Sequence, residues 1–174
     1  MGLLKGIDPL LTADLLHILR SMGHGDKLCI CDVNFPAASM ATTHTTTGAG
    51  GQLLPRMVVL AGASLPDAVA AICSVLPLDF FVESPARYMS PQDGVAMPEA
   101  GVEVIEETKL VIALHAGQDE VVNILPLERF AFYDEARTCF AICQTQERRP
   151  YGNVILTKGV IGPDGKDLKP QNEC

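Results

Sequence analysis

A chain of 174 residues, 48% of them apolar, has the size of one domain and can bury a core without disulfide or metal staples. Its formal net charge of −8 excludes the clustered basic face that a phosphate backbone requires, so no nucleic-acid partner is expected. It contains no run of about 18 apolar residues, so no membrane span is expected either.

Trp is absent and aromatics make up only 5%, so the core must be aliphatic. Residues 1–11 carry one lysine and are interrupted by Asp8-Pro9, unlike the apolar centre of a leader sequence. The six cysteines include no C-x-x-C pair. Cys29 and Cys31 alternate within a strand-like run and should point the same way. Free thiols serving as small hydrophobes in a reducing compartment are the plain reading, and a cytoplasmic location is expected. His24, Cys29 and Cys31 match no common zinc spacing, and neither a metal nor an organic cofactor is expected.

Thr12 can cap a helix whose apolar residues Leu15, Leu16, Leu19 and Met22 recur three and four apart. Asp14 in its first turn and Arg20 in its last suit the helix dipole, and Gly23 stands where a C-terminal glycine ends a helix. Residues 28–31 read as a short buried strand with Asp32 at its C-terminal end. Residues 40–52 hold five threonines, His44 and three glycines without periodicity, and 42–52 is expected to be a mobile surface loop or insertion. A second strand is expected over 56–60. Pro66 opens a helix with Val69, Ile72, Cys73 and Leu76 inward, ended by Pro77. A short strand around 87–89 and a helix over 99–114 follow. Residues 121–125 predict a strand closed by Pro126, then a helix over 128–140 and strands over 141–144 and 154–158. The alternation predicts an α/β fold: a single-domain layered sandwich over 1–161, with a mostly parallel central sheet flanked by helices. At least one antiparallel pair is expected among the last strands, and 162–174 is expected to be a flexible tail.

Three polar blocks are set against these apolar runs: Gly23-His24-Gly25-Asp26, Asp32-Val33-Asn34-Phe35-Pro36-Ala37 and Arg149-Pro150-Tyr151-Gly152-Asn153. An imidazole, a carboxylate, a phenol and an amide suit an uncharged, hydroxyl-rich ligand such as a sugar; nothing among them cradles a phosphate. In α/β sheets ligands collect outside the C-terminal ends of the strands, where Asp32 belongs. His24, on the loop entering the same strand, belongs at the opposite end. A second subunit bringing His24 and the 151–153 segment to Asp32 resolves that conflict. Tyr151 and Asn153, two apart on a strand, would face one side.

With Leu4-Lys5-Gly6-Ile7-Asp8-Pro9-Leu10-Leu11, Arg129-Phe130-Ala131-Phe132-Tyr133 and Tyr151-Gly152-Asn153-Val154-Ile155-Leu156 added to the first two blocks, the chain resembles the fucose mutarotase and ribose pyranase family. The R-F-A-F-Y block resembles the fucose branch more than the ribose branch. The resemblance implies an isomerase that interconverts the α and β anomers of L-fucose by acid/base-assisted ring opening and closure. It puts the family's general acid on His24 and its substrate-binding residues on Asp32, Arg129, Tyr151, Gly152 and Asn153; Tyr133 is a lesser candidate, whose plainer reading is packing with its hydroxyl at the rim. It also implies a ring-shaped homo-oligomer with a monosaccharide as substrate. Two features depart from the pattern: Ala38 stands where fucose-type members often carry histidine, and 42–52 looks inserted.

Each block also has a plainer reading. Gly-His-Gly alone is a helix cap and turn, Asp32 can cap the turn before Pro36, and Tyr-Gly-Asn is hairpin chemistry. Arg129 can pair with Glu128 or Glu135. A ribose pyranase or a non-catalytic sugar-binding module would use nearly the same groups.

Overall fold

The computed structural model describes residues 2–41, 46–47, 53–54, 56–117 and 122–170. Helix α1 (Ala13–Ser21) begins where the Thr12 hydroxyl accepts the Leu15 N–H at 3.3 Å, and it leads into strand β1 (Lys27–Cys31). A single turn, α2 (Ala37–Ala41), precedes β2 (Thr46–Thr47) and β3 (Leu53–Leu54), which pair apart from the main sheet. After β4 (Met57–Val59), helix α3 (Leu65–Cys73) opens on a reciprocal capping box between Ser64 and Asp67. There follow β5 (Ala86–Ser90), α4 (Glu99–Ala116), β6 (Ile124–Glu128), α5 (Arg129–Thr138), β7 (Ala141–Gln144) and β8 (Val154–Thr157).

Period-two alternation along the strands divides the interior into two cores. Leu28 and Ile30 of β1, Ala141 and Cys143 of β7, and Val154 and Leu156 of β8 meet Leu15 and Ile18 of α1, Val69 of α3 and Ile112 of α4 on one face. Cys29, Cys31, Ile142 and Ile155 turn to the other face, against Met40 of α2 and Phe132 and Ala136 of α5. Cys29 and Cys31 thus point the same way. All five described cysteines are free, and burial pushes the thiols of Cys29, Cys139 and Cys143 upward, which suits packing rather than reactivity.

The six-stranded sheet has the order β4-β7-β1-β8-β5-β6. Three of its pairings are parallel (β4 with β7, β7 with β1, β5 with β6), while β8 runs antiparallel to both β1 and β5. The antiparallel strand is therefore central, and β7 and β8 form no hairpin, because β1 lies between them.

Local expectations are adjusted at several points. Helix α1 ends on Met22 in extended backbone, and the left-handed glycine of this loop is Gly25 (φ 82°), not Gly23. Pro126 lies inside β6 rather than closing it. β6 is an edge strand, where a missing N–H is tolerated. The turn α2 is too short to leave a helical period in the sequence. Most of the 42–52 segment, His44 included, and Cys174 lie outside the described residues. Past β8 the chain doubles back, with the Leu168 N–H on the Val160 carbonyl (2.8 Å) and Lys169 Nζ on the Ala116 carbonyl (3.1 Å).

Candidate active site

The direction of β8 assembles the site. Ile30, near the end of β1, pairs with Val154, the first residue of β8, so the segment preceding β8 lies beside Asp32. Tyr88 of β5 pairs with Val154 as well, and Ser90 pairs with Glu128, which brings the start of α5 to the same edge. Tyr151, Gly152 and Asn153 thus join Asp32 within one chain, and no second subunit is needed for that step. Tyr151 and Asn153 do not sit on a strand as expected. They occupy a turn in which Tyr151 has left-handed backbone (φ 63°) and the Asn153 N–H donates to the Tyr151 carbonyl at 2.7 Å.

Asp32 and Asn153 are 5% and 2% exposed. Asn153 Nδ2 donates to Asp32 Oδ2 at 2.8 Å, and Asn153 Oδ1 accepts the Asp32 N–H at 3.0 Å. The Asn34 N–H donates to Asp32 Oδ1 at 2.9 Å. Burial raises the Asp32 pKa, and these donors only partly offset it. A cavity of about 260 Å³ opens here, lined by Asp32, Phe35, Arg129, Tyr133, Tyr151 and Asn153 among others. That volume lies just under the roughly 300–1,000 Å³ of sites for drug-sized ligands, a suitable scale for a monosaccharide. Tyr133 packs on Phe35 with ring centroids 5.6 Å apart. Arg129, the first residue of α5, has its guanidinium 4.8 Å from the Phe130 ring centroid, and its buried Nε finds no partner among the described residues. The preceding Glu128 caps the helix through Oε2, while its buried Oε1 is likewise unpartnered. A larger cavity, about 590 Å³, lies elsewhere, among the ends of α3 and α4 and residues 161–169, and contains none of these groups.

The turn carrying Tyr151 is built on Glu147, a residue that no motif in the sequence marks. Glu147 is 5% exposed. Its Oε1 accepts from the Arg148 and Arg149 N–H groups and from Arg149 Nε, all at 3.0 Å. Its Oε2 accepts from Arg149 at 2.9 Å and from the Leu65 N–H at 3.3 Å. Burial alone would raise its pKa, but the Arg149 side chain, these N–H donors and the Arg149 charge outweigh it and hold Glu147 at about 2. A Cβ on Gly152 would stand 2.8 Å from Glu147 Cγ, so only glycine fits there.

His24 is not in this cavity. It precedes β1 whereas Asp32 follows it, and Lys27 and Asp32 alone are separated by about 16 Å at the rise of a strand. The imidazole is exposed, and its Nε2 lies 3.1 Å from Oδ2 of the buried Asp79. Asp79 was not foreseen, since a carboxylate between Leu78 and Phe80 leaves no motif. Arg129 pairs with neither Glu128 nor Glu135; Glu135 is taken by Lys27 at 2.7 Å and Arg87 at 3.4 Å. Among the described residues no three His, Cys, Asp or Glu side chains are grouped to hold a metal ion, and no helix is long and apolar enough to cross a membrane.

Comparison with known proteins identifies the family. The profile of the RbsD / FucU transport protein family matches residues 5–161. The fucose mutarotase of Danio rerio is 37% identical, over 94% of this chain and 98% of its own. The crystal structure of the Streptococcus pneumoniae fucose mutarotase in complex with L-fucose superposes with a TM-score of 0.75 at 30% identity, covering 91% of this chain and all of that one. Bacillus subtilis RbsD, solved with D-ribose, shares the fold at a TM-score of 0.61 and 19% identity, over 92% of this chain and all of its own. A profile match from residue 5 to 161, together with mutarotase relatives aligned nearly end to end, means that the chain belongs to the RbsD / FucU transport protein family.

Proposed function

We propose that this protein is an L-fucose mutarotase, a carbohydrate isomerase that interconverts the α and β anomers of L-fucose. The observation that carries the reading is the cavity in which a doubly gripped carboxylate, an arginine with an unpaired donor, two phenols and an amide converge. Such a set recognises adjacent hydroxyls: a carboxylate accepts from them, and a guanidinium forks to two oxygens. The fucose mutarotases among its relatives give the substrate class.

Ring opening needs a proton on the ring oxygen while one leaves the anomeric hydroxyl. The open aldehyde then rotates and recloses on its other face. Histidine titrates near neutral pH and can move that proton, a contribution typically of about 10²- to 10⁴-fold. In this reading Asp32, Arg129, Tyr151, Gly152 and Asn153 of one subunit hold the sugar, Tyr133 borders it, and His24 arrives from a neighbouring subunit of a ring-shaped homo-oligomer. The support for that last step is the length of β1 between Asp32 and the His24 loop, which a monosaccharide cannot span. The free, buried cysteines support a reducing, cytoplasmic setting.

Exchange NMR tests the proposal. Catalyst cannot change the anomer ratio, so the protein should speed α/β exchange of L-fucose at unchanged populations, with a weaker effect on D-ribose. His24→Ala should abolish most of the acceleration. Acceleration of ribose ring-form exchange alone would replace mutarotase with pyranase. Sugar binding without acceleration of either exchange would make the chain a binding module.

A further inference from the structure

Among the described residues the His24 imidazole has one hydrogen-bond partner, Asp79, and the chemistry of that partner decides which ring nitrogen carries the proton. Asp79, 2% exposed, is itself pinned: its N–H donates to the Thr157 carbonyl at 3.1 Å, and its Oδ1 accepts the Phe81 N–H at 3.0 Å. The loop bearing the imidazole is tied down as well. The Gly25 N–H donates to the Lys158 carbonyl at 2.9 Å, the Gly23 N–H to Asp26 Oδ2 at 2.7 Å, and Lys158 Nζ to the Leu19 and Met22 carbonyls. Asp79 Oδ2 therefore meets His24 Nε2 between two anchored segments, at 3.1 Å.

A carboxylate oxygen only accepts, so this hydrogen bond needs the proton on Nε2. A neutral imidazole carries one N–H, and Nδ1 is then the basic nitrogen of a side chain that is 53% exposed. We propose that Asp79 is a positioning residue that holds His24 in its Nε2–H tautomer, making Nδ1 the nitrogen that exchanges protons with the sugar. The sugar in this statement rests on the mutarotase reading; the tautomer does not. In the opening step the imidazolium gives its Nδ1 proton to the ring oxygen as the bond from that oxygen to the anomeric carbon breaks. The anomeric hydroxyl passes its proton to water, leaving an aldehyde and a neutral Nε2–H ring. Reclosure runs the same transfers backwards, and nothing is oxidised or reduced.

Asp79→Asn is the informative substitution. The asparagine Oδ1 can still accept the Phe81 N–H, which turns its Nδ2 toward His24 and demands an acceptor at Nε2. Long-range proton–nitrogen NMR on the ¹⁵N-histidine protein reads the tautomer, with His24→Ala identifying the His24 signals among the four histidines. The expected result is Nε2–H in the neutral ring of the wild type and Nδ1–H in Asp79→Asn. The kcat of fucose exchange should fall by about tenfold or more, within the range of a general acid–base group, while KM moves less than about twofold. A wild-type neutral ring protonated on Nδ1 overturns the proposal whether or not the variant folds, and so does a variant with unchanged tautomer and kcat. If the tautomer behaves as expected while wild-type protein leaves fucose exchange untouched, the positioning role stands and the mutarotase reading falls.

Discussion

Asn153 grips Asp32 twice, through its amide nitrogen on Oδ2 (2.8 Å) and its amide oxygen on the Asp32 backbone N–H (3.0 Å). One side chain thereby fixes both the rotamer of the carboxylate and the separation of two segments 121 residues apart. With Asn34 on the other oxygen, the Asp32 carboxylate is set before any ligand arrives, and it keeps acceptor capacity for a hydroxyl.

Asn153→Ala should accordingly damage both fold and site. It leaves a buried carboxylate short of a donor and a buried N–H short of an acceptor, at a cost of about 2–3 kcal/mol by the usual penalty for unsatisfied buried groups. Urea unfolding should show that loss, and fucose titration followed by NMR should show weakened binding. A variant with wild-type unfolding midpoint and affinity would mean that the double contact holds nothing in solution.

Glu147 predicts a pH dependence of stability. Its pKa falls from 4.5 to about 2 on folding, so its contribution is fully present above pH 4.5 and is lost as pH drops toward 2. A shift of that size corresponds to about 3–4 kcal/mol. Asp32 acts with the opposite sign: burial raises its pKa, so its contribution is present at low pH and fades as pH rises through its folded value. Urea midpoints measured between pH 6 and pH 2 should fall on the acid side, and Glu147→Gln should flatten that limb. An unchanged slope in Glu147→Gln would show that other carboxylates govern it.

The Tyr151–Gly152 step separates stability from function. Tyr151→Gly relieves a left-handed backbone costing about 1 kcal/mol in a non-glycine residue, and adds a similar chain-entropy cost in the unfolded state. Its thermal midpoint should stay close to wild type while sugar affinity drops with the lost ring. Gly152→Ala should do the reverse damage, because its Cβ meets Glu147 Cγ at 2.8 Å and the Arg149 carbonyl at 3.2 Å. The turn must shift, for about 1–3 kcal/mol of strain. Equal melting of the two variants would contradict this division.

The polar blocks were legible because their residue types do not suit the apolar runs beside them. Asp32 ends a buried strand, and Tyr151, Gly152 and Asn153 precede another. Their meeting was not legible, since it depends on β8 entering the sheet antiparallel between β1 and β5, a choice made by packing rather than by local propensity. The same holds for Glu147 and Asp79. Asp79 is a single carboxylate whose partner, His24, is distant in sequence, and Glu147 closes a compact turn with the neighbouring Arg149 that leaves no periodic signal. Pro126 misled for a local reason: proline breaks a central strand but not an edge, and edge position is a property of the whole sheet.

Subunit mixing tests where His24 acts. If each sugar site takes Asp32 from one subunit and His24 from its neighbour, His24→Ala homo-oligomers and Asp32→Asn homo-oligomers should both be slow in fucose exchange. Neither substitution should unfold the chain, since His24 is exposed and Asn keeps the shape of Asp32. Co-refolded mixtures contain some junctions at which an Asp32→Asn subunit offers an intact His24 to a His24→Ala subunit with an intact Asp32. Random placement around a head-to-tail ring makes about a quarter of junctions intact in both groups. Exchange NMR on the equimolar mixture should therefore recover up to about that fraction of the wild-type rate, above the mean of the two parent variants. A mixture no faster than that mean, from oligomers shown by mass spectrometry to contain both variants, would mean that His24 and Asp32 do not serve one site across a subunit contact.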